Sequence, residues 1–133
     1  MGWLPRKERI SMSLYEFGAR AWDIETKEMS YHFAEYGWLQ VCIQSPEVVL
    51  MLKSGVPDSK GKDYYDGDIV KVNKLNFESS GPLPENLVVR LYGGMFQLFR
   101  GKEPLMGLHL GYIADGEVIG NIYENPELLD RAG

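Results

Sequence analysis

The sequence has one cysteine, no apolar run longer than the five residues Val48 to Leu52, and no long stretch of helix-forming Ala, Glu, Leu and Lys. Each scarcity excludes something. A lone Cys42 cannot close an internal disulfide, and with no recognisable secretory signal it leads us to expect a reducing cytoplasm. Five apolar residues fall far short of the roughly 20 that a membrane-spanning helix needs, so no membrane partner is expected. Positive charge is also short: 14 Lys and Arg against 19 Asp and Glu leave a net charge of −5. Phosphate backbones attract basic surfaces, so this balance speaks against broad nucleic-acid binding and leaves room only for a local patch.

Aromatic and turn residues are plentiful by contrast. Eight Tyr, five Phe, three Trp and fifteen Gly in 133 residues favour pleated faces joined by tight turns. The length suits one domain with a core of its own, which needs neither metal nor disulfide to fold. Residues 1–11, with Pro5, Arg6, Lys7, Glu8 and Arg9, carry no periodic apolar pattern and read as a mobile basic extension, with Met12 as an alternative start. Residues 12–133 then form the domain, as an N-terminal β part over 12–63 and a barrel-like part over 64–133.

Alternation of apolar and polar residues locates the strands. Phe17 to Phe33 reads as a hairpin turning through Asp23 to Lys27, and Trp38 to Ile43 alternates again. Ser45-Pro46-Glu47 has the form of a helix start, but Val48 to Leu52 is short and β-branched, which favours a buried strand. Asp66-Gly67 feeds a strand over Asp68 to Val72, and Phe77 to Asn86 is loop-like. Gly93-Gly94 joins the strands Leu87 to Tyr92 and Met95 to Arg100 as a two-residue hairpin. Leu108 to Ile113 is expected as a further strand, with Asp115-Gly116 as a second hairpin turn leading into Glu117 to Tyr123. Asn125, Pro126 and Glu127 form a helix-start signature, with Leu128 and Leu129 docking one turn of helix. The expected fold is mainly β: an N-terminal hairpin and strands packed on a small SH3-like barrel with a short C-terminal helical turn.

Three ordered stretches resemble one family. Phe17-Gly18-Ala19-Arg20-Ala21-Trp22-Asp23 with Lys27 and Met29 is similar to an F-R-A-W-D…K-x-M signature interrupted by Gly18 and Ala19. Gly55 to Val70 follows G-L-x-D-x-x-G-K-x-I-Y-x-G-D-I-V in register, with Val56 for Leu and Tyr64 for Ile. Glu117 to Leu129 resembles the same family's ending almost letter for letter. The family is YopX, of phage and prophage proteins. The resemblance implies a phage or prophage origin and a bacterial cytoplasm, and it brings no activity and no catalytic residues to carry over.

No constellation supplies chemistry of its own. Asp58, Asp63, Asp66 and Asp68 cluster, but Tyr64, Tyr65 and Val70 occupy places that a calcium loop fills with polar ligands, so turn chemistry is the better account. Gly55 to Lys62 imitates a phosphate loop, yet five residues separate its glycines and Asp63 stands where Ser or Thr belongs. His32 and His109 lack metal-ligand spacing, and Cys42 lacks the surroundings of a nucleophile. We therefore expect no catalytic, cofactor-binding or metal-binding residues. A pocket lined by several of Asp58, Tyr65, Asp66 and His109 would favour an enzyme. The one nucleic-acid face the residues allow would join Arg20, Arg90, Tyr92, Phe96 and Arg100, with Trp22, Lys71 and Phe99 near them. The alternative is that the aromatics fill the core and the arginines are solvated. The leading expectation is a non-enzymatic binding module acting on a host or phage protein. Self-association through open strand edges is a further expectation.

Overall fold

The computed structural model describes residues 18–31, 46–78 and 81–129, which fall into two compact units that divide between Lys53 and Ser54. In the first unit, β1 (Ala19–Asp23) pairs antiparallel with β2 (Glu28–Ser30) and with β3 (Val48–Pro57). The Asp23 carboxylate caps the turn by accepting the Glu25 and Thr26 amides, and Lys27 takes a left-handed φ of 58°. Register places Ala19 opposite Leu52 and Ala21 opposite Leu50, and these small and large side chains pack together with Val48. The segment from Val48 is thus strand, as its β-branched residues indicated, and not helix. Trp38 to Ile43, Cys42 and His32 lie outside the described residues.

The second unit is built on a five-stranded antiparallel sheet, curled into a half-barrel, in the order β8-β7-β6-β5-β9. Its strands are β5 (Asp68–Leu75), β6 (Glu85–Tyr92), β7 (Met95–Arg100), β8 (Glu103–Gly107) and β9 (Ile113–Asn121). The short β4 (Asp63–Tyr65) precedes them and neighbours the end of β3. Alternation puts Val70, Val72, Leu87, Val89 and Leu98 on the inner face, where they enclose Tyr64 and Leu108. A fully buried Val or Leu of this kind contributes about 1.5–3 kcal/mol by leaving water. Gly93 and Gly94 both have positive φ, 63° and 84°, as a two-residue hairpin whose twist matches its strands requires.

Three expectations need correction. The strand after β7 is Glu103–Gly107, whereas residues 108–112 form a crossing loop tied by the Tyr112 amide to the His109 carbonyl at 3.0 Å. Apolar character at Leu108 and Leu110 suggested a strand, but only Leu108 enters the core. Asp115-Gly116 is no hairpin turn. It lies inside β9, opposite Lys74 and Val72 of β5, at an irregularity in the register. A glycine within a strand marks such a bulge or a close approach. The expected C-terminal helical turn is present as a 3-10 helix, Pro126–Leu128, but the Asn125 side chain does not cap it.

Both outer edges of the larger sheet are blunted. Pro104 in β8 has no amide hydrogen to offer a neighbour. At β9, the Ser59 amide donates to the Gly116 carbonyl at 2.9 Å, and the Gly116 amide donates back to Ser59 Oγ at 2.9 Å.

Candidate functional site

The residues richest in sequence motifs turn out to brace turns and one strand edge. Asp58 is buried, and its carboxylate accepts the Lys60 amide at 2.9 Å, the Lys62 amide at 2.8 Å and, across the fold, the Val118 amide of β9 at 3.0 Å. Burial alone would raise its pKa. The hydrogen bonds from Val118, Lys62 and Lys60, with the charge of Lys62, outweigh that and hold it below the ordinary value. Asp68 is buried and accepts the Tyr65 amide at 2.8 Å, closing the Asp66-Gly67 turn. Asn121 sits opposite Asp68, and its Oδ1 accepts the Tyr123 and Glu124 amides. Asn125 Oδ1 in turn accepts the Asn121 amide at 3.2 Å. Segments 55–70 and 117–129 are therefore one structural feature, two turn-rich stretches stitched together. Among the described residues no three His, Cys, Asp or Glu side chains converge as a metal site, and no helix is long and apolar enough to cross a membrane.

The four residues of the expected nucleic-acid face that lie in the second unit divide between the two sides of one hairpin. Cross-strand partners Arg90 and Gln97, and Tyr92 and Met95, point to one side of the β6–β7 hairpin. Phe96 alternates with Leu98 on the inner face and packs against the core, and Arg100 follows on that same side. Arg20 is in the first unit and only 2% exposed. Arg90 Nε lies 3.4 Å from Asp66, and Arg100 makes a two-pronged pair with Glu85, Nη2 to Oε1 at 2.7 Å. Each of these two arginines is thus paired with an acid, on opposite faces of one hairpin. Tyr92 instead meets Phe99 edge to face, ring centroids 5.7 Å apart.

One small cavity of about 70 Å³ opens between residues 56–59, β4 and the crossing loop. It is lined by Val56, Pro57, Asp58, Ser59, Tyr64, His109, Leu110 and Ile113. Of the residues expected to mark an enzyme pocket, Asp58 and His109 are brought together. Tyr65 and Asp66 are not among its walls, and Asp66 accepts the Leu91 amide at 3.2 Å. Tyr64 takes the place of Tyr65, because in Asp63–Tyr65 the middle side chain turns inward and is 2% exposed. Its occupying an Ile position of the family pattern was the available signal. Burial, reinforced by the negative charges of Asp58 and Asp68, pushes its pKa up to about 12. Beside the cavity, Leu110 is 61% and Tyr112 42% exposed. Tyr112 meets Phe77 edge to face at 5.9 Å and lies 4.9 Å from the His109 ring. The loop holding them is fixed by Asn76, whose amide donates to the Tyr112 carbonyl and whose Nδ2 donates to the Gly111 carbonyl, both at 2.9 Å.

An antiparallel half-barrel with braced turns and an apolar loop beside a small cavity defines a mainly β protein. The chain belongs to the YopX family: the YopX protein profile matches residues 35–130. Two of the three stretches quoted for the resemblance lie inside that span, and the stretch 17–29 lies ahead of it. Protein EF1440 from Enterococcus faecalis, known from a crystal structure, is similar with a TM-score of 0.57 and 21% identity, over 84% of this chain and 96% of that one. Protein yopX from Bacillus subtilis, also a crystal structure, is similar with a TM-score of 0.51 and 25% identity, over 84% and 95%. No curated protein matches in sequence.

Proposed function

We propose that this chain is a non-enzymatic binding module that acts on a host or phage protein in the bacterial cytoplasm, docking it on the crossing loop 108–112. The observation that carries the reading is the apolar surface of that loop. Leu110 and Tyr112, the latter with Phe77 edge-on to it, stand in water on a segment pinned by backbone hydrogen bonds. A rigid cluster of large apolar side chains on an otherwise acidic protein favours a protein partner over a phosphate backbone. The aspartates that invite a catalytic reading are engaged instead: Asp58 and Asp68 hold turn amides, and Asp66 holds the Leu91 amide beside Arg90.

Capture from host and phage-infected lysate, with brief crosslinking, tests this on the wild type and on Leu110→Asp. Leu110 is exposed, so its replacement leaves the fold intact. The expected result is a stoichiometric protein retained by the wild type and lost by the variant. Capture of nothing above background, or identical capture by both, refutes the reading.

A further inference from the structure

The cavity beside Leu110 has an inventory of hydrogen-bonding capacity that constrains what enters it. Tyr64 is almost wholly buried, and its hydroxyl takes part in no hydrogen bond within the protein. Ser59 Oγ accepts the Gly116 amide, which leaves its own proton to donate. His109 Nδ1 accepts the Gly111 amide at 2.9 Å, so the neutral ring carries its hydrogen on Nε2. Asp58 has spent three of about four lone-pair positions on amides and keeps one. The walls thus offer three donors, one anionic acceptor in Asp58 and the remaining lone pairs of the two hydroxyls, set among the apolar surfaces of Val56, Pro57, Leu110 and Ile113.

That inventory discriminates between ligand classes. A carboxylate or phosphate would meet the donors but also the ionised Asp58, with Asp68 near enough to act on the Tyr64 hydroxyl. An ammonium group would meet Asp58 and the two hydroxyl oxygens but would leave the Nε2 hydrogen of His109 facing a cation. A purely aliphatic group would leave a buried tyrosine hydroxyl without a partner, which is costly. A carboxamide satisfies both sides, since its carbonyl accepts from two donors and its NH₂ donates to the free position on Asp58. At about 70 Å³ the cavity is far below the roughly 300–1,000 Å³ of a site for a drug-sized molecule, and suits the end of one side chain.

We propose that the cavity is a specificity pocket for an Asn or Gln side chain of the protein partner, with Tyr64 and His109 addressing its carbonyl and Asp58, beside Ser59, its NH₂. This rests on the binding-module reading and names the partner's chemistry at that surface. A partner segment lying over Leu110 and Tyr112 inserts the amide, and its methylene groups lie against Val56 and Ile113.

The test is amide-resolved NMR of the full chain titrated separately with propionamide, propionate and 2-butanone, in the wild type and in Tyr64→Phe. Because the Tyr64 hydroxyl bonds to no protein group, the variant keeps its fold, which its spectral dispersion and neutral-pH melting temperature verify. Propionamide is expected to give saturable shifts at Ser59, Gly111, Gly116 and Val118 in the millimolar range. Butanone should bind more weakly, propionate not at all, and Tyr64→Phe should weaken propionamide by roughly fivefold to tenfold. Absent shifts, equal shifts with propionate, or an unchanged affinity in Tyr64→Phe overturns the pocket. If Leu110→Asp still abolishes partner capture in that case, the pocket fails and the docking surface stands.

Discussion

Removing the Asp58 carboxylate is the most informative perturbation of the fold. The carboxylate holds the Lys60 and Lys62 amides of its own turn and the Val118 amide of a strand sixty residues away. Lys60 and Lys62 are exposed, so water replaces much of what their amides lose. Each of those bonds is therefore worth only about 0.5–1 kcal/mol. Val118 is half-buried at the sheet edge, and stranding its amide costs about 1–3 kcal/mol. Asp58→Ala should then destabilise the protein by about 3 kcal/mol. Asp58→Asn, which retains one acceptor oxygen but presents an NH₂ to an amide hydrogen, should cost about 2 kcal/mol. Urea unfolding at neutral pH measures both. The pH dependence provides an independent check. The Asp58 pKa in the folded protein lies below its ordinary 3.8. Its stabilisation is accordingly complete above about pH 4 and is lost as pH falls through the depressed value. The gap between wild type and Asp58→Asn should narrow on acidification below pH 4. A loss under about 1 kcal/mol at neutral pH, or a gap that does not change with acid, would refute the bracing role.

Four shorter predictions follow from other positions. Gly116→Ala places a methyl group 2.8 Å from Ile113 Cγ2 and 3.2 Å from the Tyr64 hydroxyl, so a loss of about 1–3 kcal/mol is expected in urea titration. Lys27→Gly relieves a left-handed φ of 58° and should stabilise by up to about 1 kcal/mol, read as a raised melting temperature. Tyr64 should remain un-ionised in an ultraviolet titration until about pH 12. Since the unfolded chain ionises near 10, stability should decline from pH 10 upward, by at most about 3 kcal/mol at pH 12. Fluorescence anisotropy of labelled single- and double-stranded oligonucleotides should stay flat at low and near-physiological salt, because Arg90 and Arg100 are paired with acids on opposite faces. Saturable, salt-sensitive binding would contradict that placement.

Short-range chemistry was legible without the structure. Period-two alternation and Gly93-Gly94 determined the β6–β7 hairpin, and β-branched residues marked β3 as strand despite Ser45-Pro46. Asp66-Gly67 announced the turn before β5, because these signals depend on backbone preferences of a few neighbouring residues. Family membership was legible as well, carried by the stretches 55–70 and 117–129. What those stretches do was not. That Asp58 holds Val118, and that Ser59 is stitched to Gly116, depends on bringing residues 57 to 60 positions apart into contact. The same holds for Gly116, whose Asp-Gly dipeptide looks like a turn locally. Strand β5 captures it for a ladder instead, and Tyr64 and Ile113 occupy the space a side chain would need.

The four residues of the expected nucleic-acid face in the second unit were divided for a related reason. Composition shows that arginines and aromatics are present, but pleat parity and register decide which face each one meets, and a single position separates one face from the other. By itself the sequence determined a β protein, its principal turns and its family, since each of these rests on local preference or on motif order. Only the tertiary structure decided that the motif acids are braces, that Tyr64 and not Tyr65 lines the cavity, and that Leu110 and Tyr112 stand in water. Those outcomes belong to long-range contacts, which no local pattern encodes.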